Sequence, residues 1–477
     1  MNLNINEPAA WSEAIFGNCA LGDKRLTRRL IKISNQLLNC QDISLAQSCE
    51  GEGAQIEGSY RFIRNERFTA DQIASGGYDV TGFLAQTVPL LLAIEDSTSL
   101  SYTHSVSEEL GLTSNNKSAK KRGYIVHTTM LMDAEKEKTL GIIAQERWCR
   151  PVESFGKRNT RTKTAYEEKE SYKWEKNSQE LERRLGGKLA DTITICDREA
   201  DIYEYIQYKV MNEHRFVVRA SHDRKLKDAT EELFEHVGNE KNLGVYTIEI
   251  AQKAQRKKRV AELEVKAKEV TLKPPKRRAD APTKLQEITL NVVIVKEKEP
   301  CTGQVLEWIL LTTEPIASFD EVRKIIRYYE LRWRIEDFHK AWKSGSGVEK
   351  LRMQYACNLE KMIVILSFLA IRLLQLKEYF EPEQIMLDEN DVCISCEELL
   401  TEVEWKVLWK TVEKNKKLPL IPPDAAWAYQ AIARLGGWSN SKQTGKASWA
   451  TIWNGWSRLQ ERVEGFFLAQ DIGVIKM

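Results

Sequence analysis

Three acidic residues stand in settings where a carboxylate is costly unless something uses it. Asp96 closes the apolar run Leu90-Leu91-Leu92-Ala93-Ile94 and lies in the polar segment Glu95-Asp96-Ser97-Thr98. Asp197 follows the β-branched run Thr192-Ile193-Thr194-Ile195-Cys196. Glu336 lies in Tyr329-Glu-Leu-Arg-Trp-Arg-Ile-Glu-Asp-Phe-His-Lys-Ala-Trp-Lys343. Two aspartates at the ends of buried strands and a glutamate on a docked helix form an all-oxygen donor set suited to Mg²⁺, with Mn²⁺ as a substitute; the set contains none of the His or Cys that zinc favours. Two such ions about 3.5 to 4 Å apart can activate a water or a 3′-hydroxyl and stabilise the leaving oxygen of a phosphodiester. Each acid also has an ordinary reading: Asp96 as a turn-forming Asx residue, Asp197 as a helix cap, and Glu336 as the i,i+4 partner of Arg332 in a surface ion pair. Spacing alone leaves both sets of readings open.

The third acid is best framed by its own stretch. Residues 329–343 contain no Gly or Pro, and Ser344-Gly345-Ser346-Gly347 follows as a stop, so one helix is expected. At about 100° per residue, Tyr329, Arg332, Glu336 and Lys343 fall in a stripe roughly 60° wide. Trp333, Ile335, Phe338 and Trp342 flank that stripe, so the helix should be docked. Upstream, Tyr124 to Met132 and Thr139 to Trp148 read as an antiparallel pair, and 166–185 as a charged helix ended by Gly186-Gly187. From His214 to Thr313 the periodicity is two. Phe216-Val218, Tyr246-Ile250, Val260-Leu272, Ile288-Val295 and Trp308-Leu311 are the strand candidates of a β-rich insertion. Its turns carry Arg256-Lys-Lys-Arg259 and Lys273-Pro-Pro-Lys-Arg-Arg278, clusters that either keep the hairpins soluble or track a phosphate backbone.

A chain of 477 residues, 42% hydrophobic and 29% charged, has material for two to four domains. The net charge of +2 argues against wholesale polyanion binding and leaves local patches open. Positive charge gathers near the start. Asp23 caps a segment in which Leu26, Leu30, Ile33 and Leu37 alternate with Lys24, Arg25, Arg28, Arg29 and Lys32, and a second helix ends in Tyr60-Arg61-Phe-Ile-Arg64-Asn65. Arg25, Arg29, Arg61 and Arg64 are thus either solvated faces or DNA contacts. After Gly347 the chain reads as helical, apolar from Met362 to Leu376 and broken at Pro382. Near the end, Trp449, Ile452, Trp453, Trp456, Leu459, Val463, Phe466 and Phe467 form a stripe that is either core or the seat of a second copy's helix. The nine cysteines, including the lone pair Cys393 and Cys396, read as reduced thiols. The start lacks a signal peptide and no stretch of about 18 apolar residues occurs, so an intracellular protein that does not enter a membrane is expected.

The runs Ala93-Ile-Glu-Asp96-Ser-Thr98-Ser-Leu-Ser-Tyr102, Cys196-Asp197-Arg-Glu-Ala-Asp201 and Tyr329-x2-Arg332-x3-Glu336-x6-Lys343 closely resemble those of the IS4-type bacterial DDE transposases. The likeness extends to Tyr60-Asn65 and Ala431-Gly437, so it spans nearly the whole chain. It implies an α/β protein: an RNase H-like catalytic core at 71–369 with a β-rich insertion at about 214–316, an N-terminal helical DNA-binding domain at 1–70 and a C-terminal helical dimerisation domain at 370–477. It implies Asp96, Asp197 and Glu336 as catalytic metal ligands for two Mg²⁺ ions, with Mn²⁺ able to replace them. Tyr329, Arg332, Lys343 and Arg219 become phosphate contacts, Trp308 a stack for a flipped base and Trp333 its neighbour, although without the resemblance both tryptophans read as core. The activity implied is cut-and-paste transposition (nicking, hairpin formation and opening, strand transfer) on double-stranded transposon-end and target DNA by a synaptic homodimer, in a bacterial cytoplasm. Leu26 and Asn39-Cys40 depart from the family in the N-terminal module, so a different terminal repeat is expected. Two other classes share these residues: an inactive relative that regulates by binding DNA, and a metal-dependent nuclease without strand transfer.

Overall fold

The computed structural model describes residues 7–40, 44–113, 121–151, 164–250, 259–276, 285–298, 305–380, 395–398, 400–439 and 447–473. Of the cation-rich turns, 256–258 and 277–278 lie outside the described residues, as do Pro382 and Cys393. The chain opens with α1 (Pro8–Phe16), α2 (Lys24–Asn39), α3 (Gly53–Ile63) and α4 (Ala70–Ala85). As expected, Asp23 caps α2, accepting from the Arg25 backbone N–H at 2.8 Å, and Leu30, Ile33, Leu37 and Leu38 are buried. Thr69 and Gln72 close a capping box on α4.

A sheet follows. Its strands are β1 (Leu91–Tyr102), β2 (Gly111–Leu112), β3 (Arg122–Asp133) and β4 (Lys138–Trp148), then, after α5 (Lys173–Leu185), β5 (Thr192–Cys196). Next come α6 (Tyr203–Met211), β6 (Arg215–Arg219), α7 (Leu233–Gly238) and the strands β7 (Gly244–Ile250), β8 (Arg259–Leu272), β9 (Ile288–Glu297) and β10 (Glu307–Thr312). The order is β2-β3-β1-β5-β6-β10-β9-β8-β7, with β4 on β3. β1, β5 and β6 run parallel, and the remaining pairs are antiparallel. Phe216–Val218, read in the sequence with the insertion, thus lies in β6, a parallel neighbour of β5. Three β-branched or aromatic residues in a row carry no sign of which strand they will join.

The remaining helices are α8 (Phe319–Leu331), α9 (Trp333–Lys340), α10 (Ala356–Phe380), α11 (Glu402–Val412), α12 (Ala425–Leu435) and α13 (Trp449–Asp471). They and the sheet form the mixed α/β architecture expected of an RNase H-like core. One face of the sheet, with Leu92, Ile94, Ile193 and Ile195, packs with α8, α9 and α10; the other, with Cys196, Phe216 and Val218, meets Trp174 of α5 and Tyr205 of α6. α10 is buried all round from Met362 to Ala370, as its unbroken apolar run dictates. No described helix is long and apolar enough to cross a membrane.

Two expectations are corrected, and one open choice is decided. β1 does not end at Asp96: β3 stays paired with it to Tyr102↔Arg122, while β5 stops at Cys196, so Asp96 is mid-strand where one partner has ended. Residues 329–343 are not one regular helix. The helix tightens at Arg332, whose N–H donates to the Tyr329 carbonyl at 3.2 Å, and widens into a π turn over Ala341–Gly345 before Gly347 at φ 65. The tryptophans of the C-terminal stripe are core: Trp449 and Trp453 join the main cluster and Trp456 the C-terminal one, leaving only Phe467 and Leu468 of that helix as exposed large apolar groups. Among the described cysteines all are free, and Cys357 is exposed.

α12 and α13 touch through glycines. A Cβ on Gly455 would stand 1.9 Å from the Ile432 carbonyl oxygen, and one on Gly436 1.9 Å from that of Thr451. Gly455→Ala should therefore lower the urea midpoint of the C-terminal helices, costing about 1–3 kcal/mol although alanine is the better helix former by about 1 kcal/mol. A raised midpoint would show that the helices can part freely.

Candidate functional site

The parallel pairing of β1 and β5 has its last register pair at Ile94↔Ile195, so Asp96 and Asp197 each stand two residues beyond it. Adjacent strands lie about 4.8 Å apart, and alternation points both aspartates to the face of Ile94 and Ile195, under α8–α10. This is the carboxyl end of parallel strands, where a diverging sheet leaves a crevice. Glu336 reaches it on α9. Arg332 Nη2 donates to Glu336 Oε1 at 2.9 Å while Nη1 lies 3.9 Å from Asp96 Oδ2, so one guanidinium spans two of the acids.

The electrostatics follow from that proximity. The Asp96 carboxyl is pushed up to about 6, chiefly by burial and next by Asp197, with Glu336 adding; the Ser97 N–H and Arg332 work the other way. Arg332 is itself raised: burial opposes its charge, but Tyr329, Glu336 and Asp96 outweigh it. The ordinary readings of the aspartates are also realised. Asp197 caps the turn Arg198–Ala200 through the Glu199 N–H at 2.8 Å, and Asp96 Oδ1 accepts from the Ser97 N–H at 2.8 Å. Each carboxylate keeps its other oxygen. Asp201, the second acid of that motif, is fully buried and accepts from the backbone of Ser221 and His222 at 2.6 and 2.9 Å, so it anchors the loop after β6.

Among the described residues, no three His, Cys, Asp or Glu side chains converge closely enough to hold a metal ion. The geometry explains why. Arg332 draws Glu336 to itself, and like charges do not close on one another without a cation between them. The donor set nevertheless fits a hard divalent ion: all oxygen, one free oxygen on each aspartate, and an excess of negative charge that Arg332 alone does not offset.

The other expected residues divide. Tyr329 is buried under Arg332, whose guanidinium carbon lies 5.9 Å from its ring and 5.4 Å from that of Trp333. Trp308 is only 8% exposed and packs edge-on against Tyr329 at 5.5 Å, the core role that its surroundings also allowed; Trp333 is 49% exposed. Lys343, in the π turn, is half-buried, and burial lowers its pKa against the pull of Glu349 and Asp96. Arg219 donates to the Glu307 carbonyl at 2.9 Å. In the N-terminal module Arg25 is 86% exposed beside Asp23, Arg61 lies 3.5 Å from Glu57, and Arg64 stacks over Tyr60. Arg29 instead turns inward, donating to Gln55 at 2.8 Å and filling the space above Gly58. His339 escaped sequence reading. It is buried, its pKa is pushed down to about 3 mainly by that burial, and its Nδ1 sits 3.9 Å from Asp96 Oδ2.

Compared with known families, residues 8–68 match the transposase DNA-binding family and residues 193–373 the transposase DDE domain. The first match contains Arg25, Arg29, Arg61 and Arg64. The second contains Asp197, Arg219, Trp308, Tyr329, Arg332, Trp333, Glu336 and Lys343, whereas Asp96 precedes it.

A carboxyl raised in the folded state costs stability once it ionises. The cost is absent below the unfolded pKa near 4, develops between there and about 6, and is full above. Asp96→Asn should therefore stabilise the metal-free protein at pH 8 by about 1–3 kcal/mol, a gain that disappears as the pH falls to 4. Urea unfolding in EDTA at the two pH values reads it; equal stability of both proteins at pH 8 would mean that Asp96 is not crowded.

Proposed function

Since the chain carries a transposase DNA-binding domain and a transposase DDE domain and so belongs to the DDE transposases, we propose that it moves DNA by cut and paste, in the manner of the Tn5 transposase, whose motif runs it resembles. Asp96, Asp197 and Glu336 are the catalytic acids. The observation that carries this is the placing of two aspartates at matching positions on neighbouring parallel strands, with Glu336 close enough to raise the charge burden on Asp96. These three would hold two Mg²⁺ ions, or Mn²⁺ in their place, which supply Lewis acidity for in-line displacement at phosphorus.

The chain's own groups do the rest. Arg332 and Lys343 bring positive charge into an acidic crevice that must admit a DNA phosphate, and Tyr329 fixes Arg332 from below. Trp333 offers an exposed ring on which a base can stack, with Trp308 behind Tyr329 as the deeper aromatic. Arg219 lies beside Tyr329 as a further phosphate contact. Arg25, Arg61 and Arg64 present the N-terminal module to the duplex ends of the element, and Arg29 supports that surface through Gln55. A homodimer joined through the C-terminal helices, where Phe467 and Leu468 are exposed, would pair two ends in one synaptic complex.

A joining assay tests this reading: the protein, Mg²⁺, duplexes with randomised ends and free 3′-hydroxyls, and a circular target, with Glu336→Gln in parallel. Enriched ends joined with a fixed target duplication, absent with Glu336→Gln, are expected. Metal-dependent cutting without joining would instead make the protein a nuclease, and binding with neither would make it a regulator. On binding itself, Lys343→Ala and Arg25→Ala should each weaken end binding and flatten log K against log [salt] by about 0.9. An unchanged slope for either removes that residue from the phosphate contacts.

A further inference from the structure

On the sheet face opposite the acids, β1 and β3 carry polar groups that packing alone does not call for. Ser97 and His127 are direct cross-strand partners, and the Ser97 hydroxyl lies 2.9 Å from His127 Nδ1. His127 Nε2 lies 3.2 Å from Glu95 Oε2. Glu95 and His127 are both fully buried, and Glu95 follows the wholly apolar Leu91–Ile94. Well-packed apolar side chains are generally no worse for stability than a buried polar pair, so stability is a poor reason to keep one.

The surroundings hold the imidazole still. Trp174 meets it edge-on, centroids 4.4 Å apart, and Asn177 on the same helix, α5, donates to Thr129 Oγ1 at 2.9 Å. The charged group facing Glu95 from α6 is Lys209, itself buried and donating to Thr194 Oγ1 at 2.9 Å. A carboxylate only accepts, so in the neutral imidazole Nε2–H faces Glu95 and Nδ1 accepts from the Ser97 hydroxyl. Ser97 has a second contact: its backbone N–H donates to Asp96 Oδ1 at 2.8 Å. The peptide that grips one oxygen of Asp96 is thus tied by its own side chain to a rigid buried pair, and the oxygen left for a ligand is Oδ2, the one that faces Arg332 and His339.

We infer that Ser97, His127 and Glu95 form a positioning relay through the sheet, which fixes the strand segment bearing Asp96 and so presents its Oδ2 to a divalent cation. The inference rests on the metal-site reading of Asp96. Outer-shell groups of this kind set metal affinity by orienting the ligand, with losses of about 10–100-fold on removal.

The test is Mn²⁺ binding to the DNA-free protein, followed by the loss of the free-ion electron paramagnetic resonance signal, for the full chain and its Ser97→Ala, Glu95→Gln and Asp96→Asn variants. Ser97→Ala should raise the dissociation constant about tenfold with end binding in EDTA unchanged; because it orphans the buried His127 Nδ1 it should also lower the metal-free unfolding temperature, so Gly455→Ala, destabilised far from the site, is measured beside it. Glu95→Gln keeps an oxygen for Nε2–H and should stay within about twofold of the parent. Parental Mn²⁺ affinity in Ser97→Ala overturns the relay and leaves the metal site standing. An equal loss of Mn²⁺ affinity in Gly455→Ala also overturns it, since the effect is then one of general destabilisation. If the parent binds no better than Asp96→Asn, the metal-site reading fails and the relay with it.

Discussion

Repulsion among three carboxylates at the carboxyl end of two parallel strands is the constraint around which this molecule is built. Asp96 and Asp197 are brought together by strand register, each two residues beyond the last pair of the β1–β5 ladder. Burial then makes the charge on Asp96 more costly than it would be in water. Glu336 adds to the burden and is kept in place by Arg332, which lies between it and Asp96. A fold driven by stability alone would not gather like charges in this way, which is the ground for the proposal that the site takes a cation.

The scaffold meets the constraint with stiffness. β1 is held on both sides up to Ile94, by β5 and β3, and at the acid by β3, which pairs with it along its whole length. From one face α8–α10 press down, with Phe338 and Trp342 stacked 5.5 Å apart beneath the Glu336 helix. From the other, α5 seals Glu95 and His127. The helix itself is irregular on both sides of Glu336, tight at Arg332 and wide at Ala341–Gly345, and those departures let Tyr329, Arg332 and Lys343 all lie near the acids although a regular helix would carry them on at a fixed pitch.

Much of this was legible in the residues. The apolar runs ending in Asp96 and Asp197 foretold buried strands, because only a strand covered on both faces tolerates such unbroken hydrophobicity. The Asp23 cap, the Gly186 and Gly347 stops and the four strands β7–β10 followed from local chemistry that acts within a few residues. What was hidden depends on distant partners. That β1 outlasts β5 and that Phe216–Val218 joins the parallel core are both set by pairing across long separations. His127 and His339 were invisible because a lone histidine gives no sign of which acid it will face across the fold.

The most direct test of the central claim replaces the metal with Fe²⁺ and adds ascorbate and peroxide, so that radicals formed at the bound ion cut the nearby backbone. If Asp96, Asp197 and Glu336 hold the ion together, fragments should map to three places only, around residues 96, 197 and 336, and should be suppressed by excess Mg²⁺ and lost in Asp197→Asn. Cuts elsewhere, or cuts at one of the three without the other two, would contradict a shared site.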